Sequence, residues 1–154
     1  MFPTYFFGGS HMKISTKGRY ALRMLVDIAT HQDDGFIALK TIADRQNISK
    51  KYLEQIVPVL GKAGILQANR GFQGGYSLGR PASEISVGEV LRLTEGGLAP
   101  VSCIIDDSHV LCDRMTDCPT LPVWQGLGRV INEYLDSVSI QDITDQSAKR
   151  GVER

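Results

Sequence analysis

The sequence predicts a mainly α fold with one small β-hairpin and a long helix towards its C-terminal end. Three observations predict it. Three stretches with helical apolar spacing precede two short strand patterns joined by a glycine-rich turn. The cations concentrate in that half: residues 12–81 hold eleven Lys/Arg against five Asp/Glu, and residues 82–154 hold six against twelve, although the chain as a whole is neutral. An apolar seam with alternating spacings of three and four then recurs far downstream.

The first twelve residues differ from the rest. MFPTYFFGGSHM is aromatic and glycine-rich, and Gly9-Ser10-His11-Met12 has the form of a cloning and protease-site scar, so 1–11 is expected to be an expression-tag remnant with Met12 as the native start. After Gly18, the residues Ala21, Met24, Leu25, Ile28 and Ala29 form the stripe of an amphipathic helix that stops at Asp33-Asp34-Gly35. A short helix fits Leu39 to Arg45, with Gln46-Asn47 as its turn.

Ser49 is placed as the N-cap of a third helix that buries Leu53, Ile56, Val57 and Leu60. Lys51, Glu54, Gln55 and Pro58 share the opposite face. Pro58 removes the bond to the carbonyl of Glu54, which is expected to kink this helix or end it early.

Strands at Leu66–Asn69 and Tyr76–Leu78 flank a turn through Gly71, Gly74 and Gly75. Ser86 followed by Glu89 matches a capping box opening a fourth helix with Val87, Val90 and Leu91, ending near Gly96-Gly97. An irregular loop carries the cysteines. From about Pro122 a last long helix presents Trp124, Leu127, Ile131, Tyr134 and Val138 as a seam expected to meet its copy in a second subunit. Residues 147–154 read as a frayed tail.

This element order is that of a winged helix-turn-helix, which places the third helix in the major groove of double-stranded DNA. Gln55 can pair adenine, Glu54 can accept from the amino group of cytosine, and Lys50 or Lys51 suits phosphate or guanine. Arg70, where the hairpin turns, suits the electronegative minor groove or its phosphates. Each residue alone would be an ordinary solvated side chain. Their coincidence with the element order and the charge asymmetry points to DNA.

Other classes fall away. The glycines lead into a strand and Pro81 rather than a helix N-terminus, so they do not form a nucleotide-phosphate loop. Neither H-E-x-x-H, a nucleophile elbow nor a buried carboxylate pair occurs, so an enzyme has no support. No apolar run approaches the roughly 18 residues of a membrane span, and no secretion signal stands out, so a cytoplasmic protein without a membrane partner is expected.

All three cysteines lie in CIIDDSHVLCDRMTDC, spaced C-x8-C-x5-C from Cys103 through Cys112 to Cys118. Three thiolates of one loop can hold an iron-sulfur cluster, or zinc with a further ligand. Asp106, Asp107, Asp113 and Asp117 are expected to raise the thiol pKa values, which favours metal over a reactive thiol. A Cys112–Cys118 disulfide stays open, and His109 could complete a Cys3His set.

The runs MKISTKGRYALRMLVDIA, ISKKYLEQIVPVL, RGFQGGYSLGRP and ISVGEVL strongly resemble the bacterial winged-helix regulators typified by the iron-sulfur cluster assembly regulator IscR. The resemblance spans nearly all of the chain after residue 12. It implies that Cys103, Cys112 and Cys118 hold a cluster, of [2Fe-2S] type, and that Ser49, Lys51, Tyr52, Glu54, Gln55 and Arg70, with Gly71 beside it, meet DNA. It also implies a homodimer through the long helix.

Three positions depart from the family. The Cys103–Cys112 spacing is wider than usual, Leu121 stands where the assembly regulator has its histidine ligand, and Arg19 replaces the aspartate ligand of the nitric-oxide-sensing relatives. The fourth ligand is left open, with His109 the first choice.

The expected organisation is a DNA-binding domain over 12–81, a connecting helix and cysteine loop over 82–121, a dimerisation helix and following segment over 122–146, and the tail over 147–154. The expected function is a repressor of iron-sulfur cluster biogenesis genes whose cluster occupancy alters operator binding. A zinc-bound or thiol redox-switch repressor of the same fold is the alternative.

Overall fold

The computed structural model describes residues 13–104 and 112–152; His109 lies outside them. Among the described residues, six α-helices and one hairpin follow in the order α1 (Thr16–Thr30), α2 (Leu39–Gln46), α3 (Lys50–Lys62), β1 (Leu66–Asn69), β2 (Gly75–Leu78), α4 (Val87–Glu95), α5 (Leu121–Ser137) and α6 (Ile140–Val152). The mainly α class with a hairpin wing is therefore the architecture observed.

Local chemistry sets most boundaries. Ser15 caps α1 by accepting from the amide of Gly18, and Ser49 caps α3 by accepting from Tyr52. Asn47 turns the chain between α2 and α3 in the left-handed region at φ 51°, a conformation that asparagine tolerates. α3 runs through Pro58 to Lys62. The proline thus does not end it, and the ring lies on the exposed face.

Ser86 caps α4 through the amide of Glu89, but the Glu89 carboxylate pairs with Arg80. Only half of the expected reciprocal box forms, because a cation competes for the glutamate.

Ala21, Met24, Leu25 and Ile28 of α1 are fully buried, as are Leu53, Ile56 and Leu60 of α3. Val57, expected in that stripe, is half-buried at its edge. Ile85, Val90 and Ile140 belong to the same core cluster as these residues. The core consequently does not divide at residue 81.

The C-terminal segment departs most from expectation. α5 is not the last helix, and residues 147–152 are helical rather than a frayed tail. Ser139 and Asp142 form a full box at the start of α6: the Ser139 amide donates to Asp142 Oδ2 at 2.8 Å, and the Asp142 amide donates to Ser139 Oγ at 3.1 Å. Ile140, with no exposed surface, then anchors α6 in the core. Val138 leaves the helical seam altogether. It is extended, its carbonyl accepts from the amide of Val87 at 2.8 Å, and its side chain packs beside Val87, Leu91 and Leu98.

Among the described residues, no helix is long and apolar enough to cross a membrane.

Candidate nucleic-acid interface and cysteine segment

The recognition face depends on how α1 holds α2 and α3. Asp27 of α1 is a buried charged residue, 4% exposed. Arg45 donates from Nε to both of its oxygens, at 3.0 and 3.2 Å, and from Nη2 to Oδ2 at 2.6 Å. Gln46 Nε2 adds a bond to Oδ1 at 3.0 Å. The hydrogen bond to Asp27 holds the Arg45 pKa above its ordinary value, so the guanidinium stays charged.

A second tie comes from Arg23, whose guanidinium donates to the Gln46 carbonyl and lies 5.5 Å from the ring centroid of Tyr20. Tyr20 meets Tyr52 edge to face at 5.3 Å. The first turn of α3 is thereby pinned to α1. Tyr52 is half-buried in doing so, and Ser49 is committed to its cap, so both residues support the face as well as border it.

Lys50, Lys51, Glu54 and Gln55 are all exposed on α3. Lys50 Nζ lies 3.5 Å from Glu54 Oε1, an open i, i+4 pair of small energetic weight that leaves either side chain available to a duplex. The face therefore offers cations at the helix N-terminus and hydrogen-bonding groups one turn further on.

The wing is fastened at its base and open at its tip. Leu66 pairs with Leu78 and Asn69 with Gly75 in antiparallel register, and Gln67 bridges to Ser77 across the strands at 2.9 Å. Ile37 and Tyr76 exchange both backbone hydrogen bonds, at 2.9 and 2.8 Å, which adds a one-residue third strand. Gly75 must lack a side chain there, since a Cβ would collide with the Ile37 carbonyl. Arg70 and Gly71 are exposed where the hairpin turns. Next to them Phe72 is wholly in solvent, at 105% relative exposure; an apolar residue inside a polar turn was the available sequence signal for it.

The turn that opens the cysteine segment rests on α5. Pro100 and Ile104 cover Gly128, where a Cβ would stand 3.0 Å from Ile104 Cδ1. Arg92 joins α4 to α5 through Asn132 at 2.8 Å and an ion pair with Asp136. Cys103 is half-buried in the 3-10 turn Ser102–Ile104 beside this contact. Cys112 is exposed, and Cys118 stands two residues before the Thr120 cap of α5. All three are free thiols, so the Cys112–Cys118 disulfide is not formed.

The acidic flank does not raise the Cys118 pKa as expected. The Thr120 hydroxyl, 3.3 Å from Sγ, and then the Thr120 amide hold this thiol below its ordinary value, with a small further contribution from Arg114. Asp113 and Asp117 are exposed, so water screens them, whereas the hydroxyl acts at contact. Thiolate character suits a soft metal. The donor set fits such a centre, although among the described residues no three His, Cys, Asp or Glu side chains are grouped closely enough to hold an ion.

The outer face of α5 is apolar. Val123, Leu127, Val130 and Tyr134 are 60%, 43%, 61% and 66% exposed, spaced at i, i+4, i+7 and i+11. Trp124 and Ile131, expected in the seam, are half-buried on its flank. Leu127 and Tyr134 keep their expected place on this face, with Val123 and Val130 standing where Trp124 and Ile131 were expected, while buried Gly128 lies on the opposite side under Ile104.

A family model described as Rrf2, iron-dependent transcriptional regulator, matches residues 14–146. Protein rrf2 of Nitratidesulfovibrio vulgaris is 39% identical over 132 residues, covering 86% of this chain and 87% of that protein. Two solved structures superpose closely. CymR, the global cysteine regulator of B. subtilis, has a TM-score of 0.71 at 35% identity over 87% of this chain and 97% of that one. T. potens IscR has 0.69 at 38% identity over 88% of each chain. These relatives are regulators of transcription, not enzymes.

Proposed function

Since the chain belongs to the Rrf2 family of winged-helix, DNA-binding transcriptional regulators, we propose that it is a cytoplasmic homodimeric repressor of iron-sulfur cluster biogenesis genes, with an iron-sulfur cluster as its signal. The observation that carries this reading is the placement of the thiols: Cys103 and Cys118 sit at the two ends of one segment, and both ends abut α5.

In this reading, Lys50 and Lys51 hold phosphates or guanine at the mouth of the major groove, while Glu54 and Gln55 read base edges deeper in. Arg70 and Gly71 bring the wing to the minor groove. Ser49 and Tyr52 fix the angle at which the helix enters. Val123, Leu127, Val130 and Tyr134 pack against their copies, so that two recognition helices face one pseudo-palindromic operator.

Cys103, Cys112 and Cys118 would hold a [2Fe-2S] cluster, with the fourth ligand left to His109, a carboxylate or an exogenous thiol. Such a cluster supplies oxidant-labile iron–thiolate bonds when bound. Drawing Cys103 and Cys118 towards Cys112 would pull on Ile104 over Gly128 and on the first turn of α5. The helix that sets the separation of the two DNA-reading heads is then the one that feels ligation.

Protein purified without oxygen tests the reading. It should carry about two iron and two sulfide per subunit with visible charge-transfer absorption. Cys112→Ala should lose that colour, and unaltered colour in this variant would end the assignment. Gln55→Ala and Arg70→Ala should each weaken specific DNA binding by roughly 1–3 kcal/mol. Leu127→Asp combined with Val130→Asp should give monomers by light scattering.

A zinc or thiol-switch repressor is the second reading, and the lowered Cys118 thiol favours it. Stoichiometric zinc, or colourless protein whose DNA affinity follows thiol oxidation, would select it.

A further inference from the structure

We propose that Phe72 is an apolar wedge, entering the minor groove of the operator beside Arg70 and unstacking a base step there. The inference rests on the DNA-binding reading of the wing. Its starting point is the ring itself, which at 105% relative exposure touches nothing in its own chain.

The turn is built to present that ring. The Gly74 amide donates to the Gly71 carbonyl at 3.0 Å, which places Phe72 and Gln73 at the two central positions of a four-residue turn, where polar residues are usual. Arg70, Gly71 and Gln73 on either side of Phe72 are themselves exposed, so the ring stands at an open tip. The paired strands and the Ile37–Tyr76 bridge hold the hairpin as a unit, so the tip is pushed forward by a braced support.

The tip reads Arg70-Gly71-Phe72-Gln73: a guanidinium, a gap, an apolar ring and an amide, all exposed. Arginine is drawn to a narrow minor groove, and glutamine can read its acceptors. Phenylalanine is among the side chains that part a base step and kink a duplex, most easily at flexible pyrimidine–purine steps. A groove about 6 Å wide admits the ring edge-on but not a helix. The chemistry of this tip therefore fits a minor groove better than the major groove that α3 reads.

The test uses the full chain and duplexes that the wild-type protein selects from a random pool. 2-Aminopurine is placed at successive steps along the selected duplex, and affinity is read by fluorescence anisotropy across a salt series. The wild type should raise 2-aminopurine emission at one step per half-site. Phe72→Ala should abolish that rise and lower affinity on the order of tenfold with the salt dependence intact, while Phe72→Leu should keep much of both. Arg70→Ala should instead reduce the salt slope by about one and keep the emission.

Wild-type affinity and emission in Phe72→Ala would overturn the wedge and leave the ring to a protein partner. Lost affinity without any 2-aminopurine response in the wild type would also overturn it, reducing Phe72 to a groove contact. If the wild type retains no duplex at all, the DNA-binding reading fails first and the wedge falls with it.

Discussion

Replacing Asp27 by alanine should destabilise the fold by about 3 kcal/mol. Three donor atoms converge on this carboxylate, Arg45 Nε, Arg45 Nη2 and Gln46 Nε2, and a net value of about 1 kcal/mol applies to each because the released donors can return to water. The lower end of the range is appropriate: the Arg45 side chain is 30% exposed, whereas that of Asp27 is only 2% exposed. A fully buried guanidinium stranded without its partner would cost more, about 3–5 kcal/mol for the pair.

The assay is urea unfolding at fixed protein concentration, since the apparent stability of the proposed dimer would depend on concentration. The midpoint should fall with the slope unchanged. In a double-mutant cycle, Asp27→Ala and Arg45→Ala should show a coupling of about 1–3 kcal/mol. Asp27→Ala should also weaken DNA binding, because Arg45 and Gln46 end the helix that delivers the chain to α3. A loss below about 0.5 kcal/mol with additive single variants would refute the reasoning, showing that Asp27 is solvated in solution and that apolar packing alone orients α2.

Three further outcomes follow from individual contacts. The Asp142 carboxylate is held below its ordinary pKa by the Ser139 hydroxyl and then by the Ser139 amide; its stabilisation is therefore complete above about pH 4 and is lost as the pH falls through the lower folded value. Asp142→Asn should flatten the acid limb of a thermal-melt series, and an unchanged limb would remove this box from the account. Thr120→Val removes the hydroxyl that favours the Cys118 thiolate, so peptide-mapped alkylation of Cys118 near neutral pH should slow while that of Cys112 does not. Gly75→Ala drives a methyl into the Ile37 carbonyl and should cost about 1–3 kcal/mol, and amide exchange should show faster opening at Tyr76 than in the wild type.

The DNA-reading half was legible to a large degree. Ser49 as a cap, the buried faces of α1 and α3 and the two strands of the hairpin all follow from interactions between residues a few positions apart, and such patterns are written along the chain itself. The same logic should have revealed α6, since Ser139 and Asp142 repeat the capping pattern seen at Ser86 and Glu89. The long apolar seam drew Val138 into α5 instead, and the S-x-x-D signal behind it went unread. Phe72 stood in view within the turn, but only its complete exposure sets it apart from the glycines around it.

Local sequence by itself determined the elements, their polarity and the chemistry available to them: cations on one helix end, a cation at a hairpin tip, three thiols in sixteen residues. Tertiary structure alone decided which groups meet. Asp27 and Arg45 are eighteen residues apart and Gly128 lies far along the chain from Ile104, so no periodicity could pair them. The pKa of Cys118, by contrast, is set by a local contact, the hydroxyl of Thr120 two residues on, rather than by the count of nearby carboxylates. Helical and strand periods report which face is apolar, but hydrogen bonds and close packing fall off within a few ångströms, and only the folded chain brings the two sides of such a contact within that range.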